Sequence, residues 1–209
     1  MIVILSWPSW SGKTTLDQYM KKLMSWWGFQ QYSTRPIRPT EELEWSDYTY
    51  VSKEEMIWLL DDNKLIEFIR YHGNWEYYGI GLPKHYEVDG SSRDMTVDEI
   101  IYENICGHHR IVVATPVGKA ILEEWFKLHN IACISVFLDV EKKTIIERLN
   151  KRWDNDWDIK KRLKDLSLFD KRWYDHVWIG EIGTHLLAQM LKKVADISCW
   201  IVQRVDTDQ

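Results

Sequence analysis

Cysteine, glycine and basic charge are all scarce in this chain, and each shortage excludes something. The three cysteines among 209 residues, Cys106, Cys133 and Cys199, are odd in number and far apart. That argues against a disulfide framework and suits reduced thiols in a cytoplasmic setting. No apolar run is long enough to span a bilayer, and the apolar opening MIVILS runs straight into a polar loop, the pattern of a buried strand rather than a signal peptide. Lysine and arginine number 27 against 32 aspartates and glutamates, a net charge of −5. A general nucleic-acid footprint is therefore not expected. Glycine stands at 10, where average usage of about 7% would give about 15. The compensating excess is tryptophan, at 13. The length fits one domain able to bury a substantial core, without repeats or low-complexity segments.

Along the chain, strands and helices alternate. Met1–Ser6 is a short β-branched apolar run, read as a strand buried on both faces. Leu16, Met20, Leu23 and Met24 recur at helical spacing, and Trp26-Trp27-Gly28 reads as the end of that helix. Tyr32–Glu42 holds two prolines and no periodicity, so it reads as a loop. Ser52 with Glu55, and Thr96 with Glu99, have capping-box spacing and should each open a helix. Arg110–Thr115 and Ile131–Val140 read as buried strands, with a helix over Val117–His129 between them. Further helices are expected at Glu141–Arg152, Asp158–Leu168 and Thr184–Val205, with a last strand at Val177–Ile179. This order predicts an α/β fold with a mostly parallel sheet flanked by helices.

The stretch SWPSWSGKTTL, placed between a strand and a helix, carries the Gly-Lys-Thr end of a phosphate-binding loop. In such a loop, backbone N–H groups of Pro8–Thr15 (here Ser9, Ser11, Gly12, Lys13, Thr14 and Thr15, beside Pro8, which has no N–H to give) would line the ATP phosphates. Lys13 would reach the β- and γ-phosphates, and the Thr14 hydroxyl would bind Mg²⁺. A serine-rich turn that merely caps a helix is the plainer alternative. Cys106-Gly107-His108-His109 invites a metal reading, but it lacks a second ligand pair at structural-zinc spacing.

Taken with YSTRPIRPTEE, WSDYTYVSKEE and LIEFIRYHGNWEYYG, that loop resembles the guanylate kinase family. The resemblance covers nearly the whole chain and is strongest over residues 1–80. It implies a single domain of the P-loop NTPase type, with a core at about 1–31, 82–147 and 169–209. A small nucleoside-monophosphate (NMP)-binding subdomain would occupy about 32–81 and a helical lid about 148–168. It implies a cytoplasmic transferase of purine nucleotide metabolism, a monomer or homodimer, with no nucleic-acid or membrane partner. Its activity would be transfer of the γ-phosphoryl of ATP, with Mg²⁺, to GMP or dGMP. Arg35 and Arg38 would grip the acceptor phosphate, for which guanidinium forks are suited. Tyr48 and Tyr78 match family tyrosines that hydrogen-bond the same phosphate, and Glu67 matches the carboxylate that accepts from guanine N1 and N2. Arg152 and Arg162 match lid arginines that stabilise charge during transfer; Arg148 is a secondary candidate, with an exposed charged helix as its plainer reading.

Three positions depart from the family: Ile80 replaces a hydroxyl residue that reaches guanine O6, Thr115 an aspartate on the base side, and Gln31 a serine. Base choice rests on paired hydrogen bonds, so another (deoxy)nucleoside monophosphate or a small phosphate ester stays open as acceptor. A non-catalytic guanylate-kinase-like interaction module is the alternative from another class. Trp7, Trp10, Trp45 and Trp153 stand where the family carries glycine, although glycine is used there because it takes φ > 0 and lets phosphate approach the backbone. Either the loop is truly filled, or UGA codons that mean glycine in the source's genetic code have been read as tryptophan. Decoding accounts for the tryptophan excess and the glycine shortage together. Peptide mass spectrometry of the protein from its natural source should therefore find glycine at positions 7, 10 and 153; tryptophan there would favour the non-catalytic module.

Overall fold

A computed structural model of the chain describes residues 1–6, 16–17, 19–21, 27–37, 48–71, 76–86, 90–106, 108–151, 160, 163, 170–179 and 186–196. Its strands, in chain order, are β1 (Ile2–Ser6), β2 (Trp27–Gly28), β3 (Gln30–Ser33), β4 (Tyr48–Tyr50), β5 (Leu65–Tyr71), β6 (Glu76–Gly81), β7 (Lys84–Tyr86), β8 (Ser92–Asp94), β9 (Arg110–Val113), β10 (Cys133–Asp139) and β11 (His176–Ile179). The helices with both ends in view are α1 (Lys53–Asp61), α2 (Val97–Ile105), α3 (Pro116–Leu128) and α4 (Lys142–Lys151). Described residues within 16–21, and residues 186–196, are also helical.

Five strands form an all-parallel sheet in the order β11-β10-β1-β9-β2. Every residue of β1 is buried because alternate side chains enter two separate cores. Met1, Val3 and Leu5 pack with Leu16, Met20, Leu187, Ala188 and Leu191 on one side. Ile2 and Ile4 pack with Ile100, Leu122 and Phe126 of α2 and α3 on the other. This is the mixed α/β, helix-flanked parallel sheet expected of a P-loop NTPase.

A second sheet, in the order β4-β3-β6-β5, is built from residues 30–81. Its β3–β6 and β5–β6 pairs are antiparallel and β3–β4 is parallel. Helix α1 opens with the expected capping box: Ser52 Oγ accepts from Glu55 N (3.1 Å) and Ser52 N donates to Glu55 (2.7 Å). Thr96 and Glu99 make the same reciprocal bonds before α2. Helix α1 covers the outer face of the second sheet through Met56, whose sulfur lies next to Gly79. Trp58, two residues on and so rotated to the far side of the helix, is 60% exposed, whereas Trp125 packs against the core.

Two local expectations change. Trp27–Gly28, read as the end of a helix, is strand β2 beside β9. Tyr32 and Ser33, read as the start of a loop, close β3 and pair with both β4 and β6. In each case pairing to a neighbouring strand outweighs a local signal too short to show a period. Of the helix expected at Asp158–Leu168, Lys160 and Leu163 are described and helical, and its remaining residues, like the ends of the helix expected at Thr184–Val205, lie outside the described residues.

Candidate functional site

The second sheet has two faces, and its register sorts the side chains between them. Cross-strand partners share a face. One row runs Tyr48–Gln31–Ile80–Glu67 across β4, β3, β6 and β5, and the next runs Tyr50–Ser33–Tyr78–Ile69. Three expected site residues, Tyr48, Glu67 and Tyr78, thus fall on one face.

Glu67 is there because of a bulge. The register slips by one residue between Leu65 and Glu67, so Ile66 and Glu67 together face Ile80. Regular pairing would have set Ile66 opposite Ile80 and turned Glu67 to the other face. The carboxyl that results is 3% exposed, and no described residue donates a hydrogen bond to it. It sits against the first turn of α3, where a Cβ added to Gly118 would overlap a Glu67 carboxyl oxygen. Thr115 caps that turn, its Oγ accepting from Gly118 N at 3.1 Å. Burial pushes the Glu67 carboxyl up from 4.5 to about 8. A nearly buried acceptor to which no described residue donates is costly to keep and suits a ligand that brings N–H groups.

Arg35 follows β3 and is 7% exposed. Its guanidinium donates to the Tyr50 hydroxyl (2.8 Å) and the Pro36 carbonyl (3.1 Å). The Tyr48 and Tyr50 rings lie 5.7 and 5.0 Å from its central carbon, within cation–π range. Tyr48 in turn meets Tyr78 edge to face at 6.0 Å. One arginine is therefore packed among the tyrosines of the same face.

This face adjoins the end of the parallel sheet. Ser6, the last residue of β1, donates from its hydroxyl to Ala114 O (2.9 Å), and Ala114 N donates to Leu5 O (3.0 Å). The residue after Ala114 is the α3 cap, and Gly118 touches Glu67. Residues 7–15 follow Ser6 directly in sequence, and ligands of parallel α/β sheets bind at the carboxyl ends of the strands. Pro8, Ser9, Ser11, Gly12, Lys13, Thr14, Thr15, Arg38, Arg152 and Arg162 lie outside the described residues, as do the four tryptophans at family glycine positions. Among the described residues, no group of three His, Cys, Asp or Glu side chains could hold a metal ion. His109 instead meets Asp196 at 2.6 Å.

No family model matches the chain. Guanylate kinase of Bartonella henselae is 32% identical over 184 residues, 86% of this chain and 73% of that protein. Guanylate kinase of Geobacter sulfurreducens is 25% identical over 211 residues, 99% of this chain and 93% of that one. The chain belongs to the guanylate kinase family. Its fold also matches the crystal structure of guanylate kinase from Anaplasma phagocytophilum, with a TM-score of 0.62 and 20% identity over 93% of this chain and 84% of that one. Membership makes it a phosphotransferase of the nucleotide-binding kinases. Among the described residues no helix is long and apolar enough to cross a membrane.

For a guanylate kinase-family chain, two residues at this site were not legible beforehand. Tyr50 follows Tyr48 at the strand period of two, and that spacing was the available signal. Gly118, three residues past its cap at Thr115, gives no sign in sequence that a carboxyl rests on it. Tyr50→Phe, which keeps the ring and removes the acceptor for Arg35, should raise the NMP KM about 3- to 10-fold, as expected for one lost hydrogen bond, while kcat and the ATP KM hold; steady-state kinetics decides. The Glu67 carboxyl also sets a pH dependence of stability. The unfolded chain releases this proton near 4.5 and the folded chain only near 8, so stability should fall as pH rises through that window. The slope is at most about 1.4 kcal/mol per pH unit. Urea denaturation of wild type and Glu67→Gln across this range should show the stability difference between them changing with pH by up to that slope.

Proposed function

We propose that the chain transfers the γ-phosphoryl of ATP to GMP or dGMP, yielding ADP and GDP or dGDP. The observation that carries this is the nearly buried Glu67 carboxyl, to which no described residue donates, on the same sheet face as Tyr48 and Tyr78, in a chain of the guanylate kinase family. Guanine offers two adjacent N–H donors at N1 and N2, the complement of one carboxylate. Arg35 and Arg38, with Tyr48 and Tyr78, hold the acceptor phosphate. Pro8–Thr15 line the ATP phosphates, and Lys13, Arg152 and Arg162 stabilise the charge that spreads over the transferring group. The Thr14 hydroxyl is a hard oxygen donor that suits Mg²⁺; bound there with ATP, the ion would offset phosphate charge. The corresponding layout is one domain, with an NMP-binding region at about 32–81 and a lid at about 148–168. A cytoplasmic setting agrees with the free thiols of Cys106 and Cys133.

The test is a coupled assay of ADP formation with ATP and GMP. Lys13→Ala should lower turnover by about two to three orders of magnitude, the usual cost of removing one charge-stabilising donor, with an unchanged circular dichroism spectrum. Undiminished transfer by that variant would overturn the role given to Lys13, and a wild type inactive on every nucleoside monophosphate would overturn the kinase reading.

A further inference from the structure

The proposed chemistry leaves one buried hydroxyl unused. Tyr174, just before β11, is 8% exposed. Its hydroxyl is out of contact with solvent and has no hydrogen-bond partner among the described residues. Buried polar groups of that kind are rare and costly. The ring cannot turn to find a partner, because its surroundings grip it. It packs on Phe137 of β10, 5.1 Å between centroids, and the Lys119 ammonium of α3 lies 5.0 Å from its centre, in cation–π range. Lys119 is itself nearly buried and paired with Glu123. The next residue, Asp175, accepts from Ser135 N (2.7 Å) and Ser135 Oγ (2.8 Å), which fastens the segment to β10. Lys171 pairs with Asp139 at the end of the same strand. Phe137 is the cross-strand partner of Ser6, the last residue of β1, and Ser6 is a polar neighbour of the Tyr174 hydroxyl. Ser6 has given its own proton to Ala114 O. The Tyr174 hydroxyl therefore lies at the carboxyl end of β1, where the chain passes into residues 7–15. Burial pushes its pKa up, so it stays a donor.

We propose that Tyr174 is a positioning residue of the ATP side: with ATP bound, its hydroxyl donates to a main-chain carbonyl where β1 gives way to the phosphate loop. The inference rests on the kinase reading of the same chain. Ligands of parallel α/β sheets bind at the carboxyl ends of the strands, and a phosphate loop turns its backbone N–H groups toward the phosphates. A peptide that points its N–H at a phosphate points its carbonyl the other way, into the protein. An inward carbonyl needs a donor, and Tyr174 is a donor already fixed at that junction. The two needs match. The hydroxyl that is unpaired in the empty protein finds its acceptor when the ligand orders the peptides above it, and part of the cost of burying it is recovered as affinity for ATP. Tyr174 then acts on ATP through the loop and not by touching it, and it ties the loop to the segment that follows the proposed lid.

The experiment uses Tyr174→Phe, which keeps the ring and its packing and removes only the hydroxyl. Calorimetric titration measures binding of GMP and of AMP-PNP with Mg²⁺, an ATP analogue that cannot give up its γ-phosphoryl. Urea denaturation measures stability without nucleotide. The variant should bind AMP-PNP about 3- to 10-fold more weakly, the value of one hydrogen bond, and bind GMP as wild type does. Its urea midpoint without nucleotide should be no lower than that of wild type, because the empty protein loses a hydroxyl that had no partner. A merely structural hydroxyl gives the opposite pattern. A variant that unfolds at lower urea or fails to fold, an unchanged AMP-PNP affinity, or equal losses for AMP-PNP and GMP would each overturn the role of Tyr174 and leave the kinase reading standing. A wild type that binds neither nucleotide would instead overturn the kinase reading, and this inference with it.

Discussion

A nearly buried carboxyl to which no described residue donates is the constraint around which this site is arranged. Glu67 is costly where it stands, and three features keep it there. The bulge at Ile66 turns it onto the site face, Ile80 screens it from solvent along the row, and Gly118 leaves room for it at the start of α3. Each belongs to a different element, so the site depends on the second sheet and the parallel sheet's helix layer meeting in one register. Burial favours the protonated form of this carboxyl, and a ligand bringing N–H donors would support the ionised one.

On the proposed reading, the same face keeps phosphate recognition and base recognition apart. Successive rows along a strand differ by two residues. The row containing Glu67 and Gln31 borders the apolar core, and the next row carries Tyr50 and Tyr78 toward Arg35. Polarity rises in that direction, from aliphatic floor, to uncharged and protonated acceptors, to a cation boxed by aromatic rings. A nucleoside monophosphate has the same gradient from base to phosphate. In the proposed binding mode the two gradients would align, base over the apolar row and phosphate toward Arg35.

Much of this was legible in sequence, for identifiable reasons. β1, β9 and β10 are short runs of aliphatic residues buried on both faces, a pattern that survives without any partner being known. The two capping boxes are local devices, so they read directly. The second sheet was not read strand by strand, because its faces differ in kind. One carries tyrosines, an amide and a carboxyl, and the other carries Phe68, Tyr77 and two glycines, so LIEFIRY and EYYGIG show no clean alternation. Gln31 reads as a departure from the family pattern, and only the register shows that it lies one strand from Ile80 and two from Glu67. Register carries that information, and register is not visible in a single chain segment.

The remaining link is between the two halves of the proposed reaction. Ser6 ends the strand that leads into the phosphate loop, and its hydroxyl is tied to Ala114. Thr115 follows and caps α3, and Gly118 in that helix's first turn supports Glu67. Four residues thus connect the end of β1 to the Glu67 carboxyl, the proposed ATP and base sides, through one side-chain bond, one cap and one steric contact. β1 and β9 pair side by side, and their side chains fill the two cores. In the proposed reaction the ATP side and the base side would both lean on that pair, and positioning is most of what phosphoryl transfer asks of a protein.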